Sequence, residues 1–411
     1  MRTTAQNPMK SLARAEITAL LTLIAGVTLL AGSNALHAAD AQPDTFWVPY
    51  VAATAGYEDN LLRRSDAAPI PAQFDDISST FATLAGGLDA QAMLRKQRFT
   101  FNGELVRRRY QDIDALDHTG GHANFAWHLG LGKDWGGRIS YNFTRGLRNF
   151  EFLETLVEDL RNTGRIGFSL TRQLGLRHQL ELFGSHTDLR FGGPERESTD
   201  IRVDRDSLGL RYSYALSRRS KVGGVIQREQ RRGVGLSEAG DFDHDSIGAF
   251  LQWSVGNKSR LDAEVHYARR DLELASGNDF DGLLGRLNFN WQTTEKTRVQ
   301  ALYDRRLSNL TDEIPGIALI DEVRLQPTWQ ATENIELGLN ARYVRRDFRS
   351  VLGRIDRLYT VGASANWTLP RSITLGILVE HRNREGNDLL SDYEGTPVSY
   401  THLTLPTIYS V

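Results

Sequence analysis

The chain has 411 residues and a formal net charge of −2, with Lys and Arg (49) nearly balancing Asp and Glu (51). That balance excludes the basic excess of a nucleic-acid-binding surface, and the absence of cysteine excludes a disulfide framework and any thiolate metal site. Gly (37), Phe (17), Tyr (13) and Trp (7) are plentiful beside only 11 Pro, which favours strands over disordered segments.

The N-terminus reads as a secretory signal over residues 1–38. Arg2, Lys10 and Arg14 form a basic region, residues 17–32 (ITALLTLIAGVTLLAG) are apolar, and small residues follow in SNALHAAD. The apolar run is short for a membrane span, and beyond residue 40 no run approaches spanning-helix length. Residues 39–47 are then a periplasmic lead.

From residue 48 the pattern has period two. Residues 335–346 (IELGLNARYVRR) show it most clearly: Ile335, Leu337, Leu339, Ala341 and Tyr343 share one parity, and Glu336, Gly338, Asn340 and Arg342 the other. A strand sends alternate side chains to opposite faces, and about nine such residues suffice for a tilted strand to cross a bilayer. The unit recurs, for example in Leu208/Leu210/Tyr212, Ile247/Ala249/Leu251/Trp253, Leu283/Leu287/Phe289/Trp291 and Tyr359/Val361/Ala363/Ala365/Trp367.

In a soluble sandwich the apolar parity would line a core, whereas in a membrane barrel it faces lipid. Three features favour the barrel. Tryptophans (127, 135, 253, 291, 329, 367) gather beside short turns, as an interfacial girdle requires. Tight connections (133–137, 217–221, 256–260, 293–297, 331–334, 370–372) alternate with long polar ones (59–76, 190–204, 232–244, 308–320). The polar parity is also too rich in Arg, Asn, Gln and Glu for a dry core. The fold class is therefore all-β, a transmembrane antiparallel barrel of about 18 strands over residues 48–398.

Seventeen strands are countable up to Arg382, and an even number is needed to close the edge. The closing strand should begin near Tyr393. Residues 399–411 (SYTHLTLPTIYSV) instead break the alternation and place Pro406 mid-run, so they read as an anomalous tail that replaces most of the native last strand.

Arginines recur near one end of alternate strands, one hairpin apart, and closure would gather them around the outer mouth. The candidate substrate- or lipid-binding set is Arg108, Arg228, Arg269, Arg305, Arg345 and Arg382. Adjacent arginines in a strand point to opposite faces. Inward ones would form an electropositive funnel for anions, and outward ones would lie at the level of lipopolysaccharide phosphates. Pairing with neighbouring carboxylates, as a solvated rim, is the alternative.

EFLETLVEDL (151–160) reads either as an acidic amphipathic loop or as a strand extension. HTGGH (118–122) lacks a carboxylate at ligand spacing, so no metal site is expected. No nucleophile, phosphate-loop or dinucleotide motif is present, and neither an enzyme nor a cofactor is expected.

The segment FWVPYVAATAGYEDNLLRR (46–64) has an aromatic-Pro lead, a small-residue strand and Tyr57-Glu58-Asp59-Asn60 opening the first loop. It resembles the start of the EpsL-type outer-membrane barrels associated with exosortase B systems, and strands such as ARYVRRDF (341–348) are similar. The resemblance implies a role in exopolysaccharide biosynthesis or export, with anionic polysaccharide and periplasmic export machinery as partners, and it supplies no catalytic residues. The alternatives are an anion-preferring diffusion porin and a non-conducting structural or adhesion barrel.

Overall fold

The computed structural model describes residues 45–65, 77–147, 160–192, 201–234, 240–273, 279–309, 317–349, 353–370, 373–387, 392–400 and 409–410. The expected signal peptide and nearly all of the acidic segment 151–160 lie outside these residues.

The described chain is one sheet closed on itself. Its strands are β1 (Phe46–Glu58), β2 (Ser79–Leu94), β3 (Gln97–Tyr110), β4 (His118–Leu131), β5 (Trp135–Leu147), β6 (Leu160–Leu174), β7 (His178–Gly192), β8 (Ile201–Ala215) and β9 (Lys221–Val234). There follow β10 (Phe242–Val255), β11 (Ser259–Leu272), β12 (Phe280–Gln292), β13 (Thr297–Asn309), β14 (Ile317–Gln330), β15 (Ile335–Phe348), β16 (Arg354–Leu369) and β17 (Ile373–Gly386). Each pairs antiparallel with the next. The eighteenth position is filled in pieces by β18 (Tyr393–Gly395), β19 (Val398–Tyr400) and β20 (Tyr409–Ser410). The first two pair with β17 and the last two with β1, which closes an 18-stranded barrel.

Alternation decides which face meets lipid. Leu210, Leu287 and Leu339 are exposed on the outer surface, Leu339 by 59%. Their sequence neighbours of opposite parity, such as Arg211, Asn288 and Asn340, turn inward. Trp135, Trp253, Trp291, Trp329 and Trp367 are exposed near the short-turn end. At the other end of the apolar belt Tyr303, Val323, Tyr343 and Tyr359 form one directly paired outward row. These are the two interfacial girdles of a transmembrane barrel. The short turns are tight enough to need positive φ, which Gly132, Gly175 and Gly256 supply at 76°, 69° and 60°.

Strands run further outward than the alternation implied. Much of 190–204, 232–244 and 308–320, read as loop, is strand. Above the lipid no apolar face is required, so the period-two signal fades while backbone pairing continues. Cross-strand ion pairs support it there: Arg202–Asp188 at 3.1 Å and Arg232–Asp243 at 3.0 Å.

One seam opens. The pairing of β12 with β13 stops at Gly285↔Arg305, although both strands continue outward with their other neighbours. The outer ends of β13 and β14 lean into the mouth. Ile317 and Leu319 bury against Phe242, Ala268, Leu272 and Phe280 of β10–β12. Ala318 and Ile320 bury against Val344, Phe348, Leu358 and Tyr393 on the other side. Residues 317–320 thus form a ribbon with two apolar faces, narrowing the outer mouth.

The face assignment is testable. A lipid-facing arginine costs roughly 2–4 kcal/mol near the midplane. Leu287→Arg is expected to lower the folded, heat-modifiable fraction in bilayers far more than Asn288→Arg. Equal tolerance of the two would contradict the outward parity.

Candidate functional site

The inner wall of β12–β15 carries a compact charged network. Parity aims Arg286 (β12), Asp304 and Arg306 (β13), Glu322 and Arg324 (β14) and Arg342 (β15) into the lumen. Register then brings them together: Arg286 opposes Asp304, Asp304 opposes Glu322, and Arg324 opposes Arg342. Glu322, only 3% exposed, accepts from Arg324 (2.5 Å), Arg342 (2.8 Å) and Arg306 (3.1 Å). Asp304 accepts from Arg286 (3.1 Å) and Arg306 (2.5 Å). Four guanidiniums therefore surround two carboxylates, leaving an excess of two positive charges. The arginines are the exposed members, with Arg286 61% open to the lumen. Charge-assisted bonds of this kind are about twice as strong as neutral ones and hold the guanidinium planes fixed.

The wall about seven strands further around the barrel is different. On β1–β4, Tyr50 donates to Glu104 (3.1 Å) and Asn102 donates to Asp89 (2.5 Å), while His122 contacts the Asn102 carbonyl oxygen (2.7 Å). These carboxylates are held by neutral groups and not by guanidiniums. A cavity of about 540 Å³ lies toward its outer end, lined by Glu58, Glu104, Arg108, Tyr110, His122 and others. His118 and His122 of the HTGGH motif are used separately, His118 bonding the Leu116 carbonyl at 2.9 Å. Beside the mouth, Asp241 accepts from Arg231 (3.2 Å) and from the Gly233 N–H (2.6 Å), and burial still pushes its carboxyl above the ordinary range.

The six arginines singled out in sequence divide between the two faces. Arg108 and Arg382 point inward. Arg108 donates to Thr83 (3.2 Å) and lies over the Phe81 ring, and Arg382 pairs with Glu380 (2.6 Å) and Glu58 (3.7 Å). Arg228, Arg269, Arg305 and Arg345 share the outward parity of the apolar belt. They pair with Asp243 (3.3 Å), Asp271 (2.9 Å), Asp321 (3.1 Å) and Asp347 (3.5 Å) respectively. Of the mid-wall network only Arg306 belongs to an adjacent arginine pair, and Arg286, Arg324 and Arg342 have no arginine beside them in sequence, outside the pattern that picks out the set. The available signal was an arginine on the polar parity inside a spanning stretch, as at Arg286, Arg324 and Arg342.

Fold and wall together define a porin-like transmembrane β-barrel of the outer membrane. Residues 243–403 match the family model described as "Putative beta-barrel porin 2". Among solved structures the chain is similar to Pseudomonas aeruginosa OccK2 (OpdF) in complex with glucuronate, at 11% identity and TM-score 0.50 over 89% of this chain and 98% of that one. The structure of OccK2 without that ligand gives 10%, 0.50, 88% and 98%. Acinetobacter baumannii OccAB3 gives 8% identity and TM-score 0.49 over 90% of this chain and 100% of that one. A search among curated proteins finds no match.

Glu322 is the hub on which the network depends. Removing one charged partner from such bonds costs about 1.5–3 kcal/mol. Glu322→Gln is expected to lower the urea midpoint of the folded barrel, whereas Gln326→Glu, further along the same face, should leave it nearly unchanged. An unshifted midpoint in Glu322→Gln would show that the arginines are held by other contacts.

Proposed function

We propose that the protein is an anion-preferring diffusion porin for small organic acids. The observation that carries this reading is the excess of arginine over carboxylate on the inner wall of β12–β15. A wall with fixed, exposed guanidiniums in a narrow lumen concentrates anions and repels cations. Glutamate and aspartate within the network fix the arginine geometry without cancelling its charge. Glucuronate, the ligand named for the OccK2 structure, is a solute of suitable size and charge to try first.

Exopolysaccharide export is the second reading, supported by the resemblance of residues 46–64. Within that segment Asp59 accepts from the Thr396 N–H (2.6 Å), and Asn60 donates to the Glu394 carbonyl (3.0 Å). Two residues of the Tyr57–Asn60 motif thus serve barrel closure, which weakens the case that the motif reads a polysaccharide. Exosortase and glycosyltransferase genes beside this one would favour the second reading, and their absence would remove its main support. A non-conducting barrel draws support from the ribbon across the mouth, and the same recordings test it.

Single-channel recordings in planar bilayers are expected to show anion preference that weakens as salt rises, because exposed charges are screened over about 10 Å at 0.1 M. Replacing Arg286, Arg324 and Arg342 together by Ala should move the permeability ratio toward cations. Cation selectivity of the native barrel, or no conductance in a folded one, would overturn the porin reading.

A further inference from the structure

The outer surface of β13–β17 carries a second arginine feature that the lumen does not use. One outward step beyond the tyrosine girdle lies a directly paired row: Arg305, Asp321, Arg345, Arg357 and Glu385. Arg305 and the Tyr303 hydroxyl both donate to Asp321, at 3.1 and 2.9 Å. Arg345 and Arg357 are then left directly opposite each other on adjacent strands. Like charges so placed repel. Arg345 reaches Asp347 at 3.5 Å, and Arg357 is exposed and forms no ion pair among the described residues. Immediately beneath, the Tyr343 and Tyr359 rings lie 5.1 Å apart.

Below the tyrosines the surface is a furrow. Ala363 and Ala365 of β16 are flanked by Leu339 and Leu337 on β15 and by Val379 and Ile377 on β17. The four flanking side chains are exposed and stand above the alanines. The furrow lies between Val361, which is 62% exposed and separates it from Tyr359, and Trp367. Tyr359 and Trp367 are eight residues or about 26 Å apart along the strand, so the furrow is within the apolar belt.

We propose that Arg345 and Arg357 clamp a phosphate of lipid A, with one acyl chain of that lipid seated along Ala363 and Ala365. Two facing guanidiniums relieve their repulsion by sharing a phosphate, which each can bind bidentately. The tyrosine pair marks the boundary between acyl chains and headgroups, so the cations sit at phosphate height. The arginine end is the end opposite the short periplasmic turns, hence the outer leaflet, where the anionic lipid is lipopolysaccharide. An apolar furrow in line with a cationic clamp, with Tyr359 and Val361 between them, fits an acylated phosphosugar better than a free anion. This site is on the lipid side of the wall and is independent of conduction.

Lipid A affinity can be measured on the folded full-length barrel in detergent, from the shift in its thermal unfolding as lipid A is titrated. Arg345→Ala with Arg357→Ala should weaken binding about tenfold or more, and Lys at both positions should recover part of it. Arg228→Ala with Arg269→Ala, outward arginines away from the furrow, should bind as the native barrel does. Ala363→Phe fills the furrow without changing charge and should also weaken binding, so it carries the test should the arginine variant fail to assemble. Native affinity in Ala363→Phe or in the Arg345/Arg357 variant would overturn the proposal. So would equal binding of dephosphorylated lipid A, or of phosphatidylglycerol, which would make the surface a generic lipid contact.

Discussion

The structure depends on one constraint: backbone N–H and C=O groups in hydrocarbon have no water to bond and must find partners in the chain. A closed ladder is the solution for strands. The alternation of side chains then follows from pleating, and the apolar parity must be the outer one because lipid is the solvent there. Where the constraint lapses, above the lipid, the sheet takes liberties. The β12–β13 ladder ends at Gly285↔Arg305, and the freed outer ends of β13 and β14 fold inward. The apolar residues 317–320 bury on both faces, which an edge facing lipid would not permit.

The same constraint explains the first loop. The barrel closes between β17 and β1 through short segments, with three pairs on β18 and three more on β19 among the described residues. Side chains supplement that ladder. Asp59 and Asn60 bind the backbone at 394–396, and the Gly386 N–H donates to Asp392. A loop residue that completes a seam looks in sequence like a binding motif, because both uses favour a short polar side chain at a strand end.

Face was legible in the sequence, and register was not. Leu287 and Asn288 could be sent to opposite sides from parity alone, and the tryptophan girdle followed from position beside the short turns. Which inward residue meets which depends on strand stagger, and no single strand states it. Glu322 gathers Arg306, Arg324 and Arg342 from three strands only because Asp304 opposes Glu322 while Arg324 opposes Arg342. Read along the chain, each of these is an ordinary polar residue. The outward extensions at 201–204 and 317–320 were missed for a related reason: strands leaving the membrane keep their pairing and lose their period.

Arg305 and Arg306 show how far one residue of offset can separate roles. Both are arginines at the same height on β13, and both meet carboxylates contributed by β14. Arg305 turns outward to Asp321, in the row that contains Arg345 and Arg357. Arg306 turns inward to Glu322, in the network that charges the wall. The Arg305–Arg306 pair therefore places one cation on each face of the wall. Elsewhere the inward member of such a pair is buried in the wall, as at Arg231 (0% exposed) and Arg270 (7%), while the outward Arg228, Arg269 and Arg345 each meet an aspartate, so one sequence pattern has different uses at different strands.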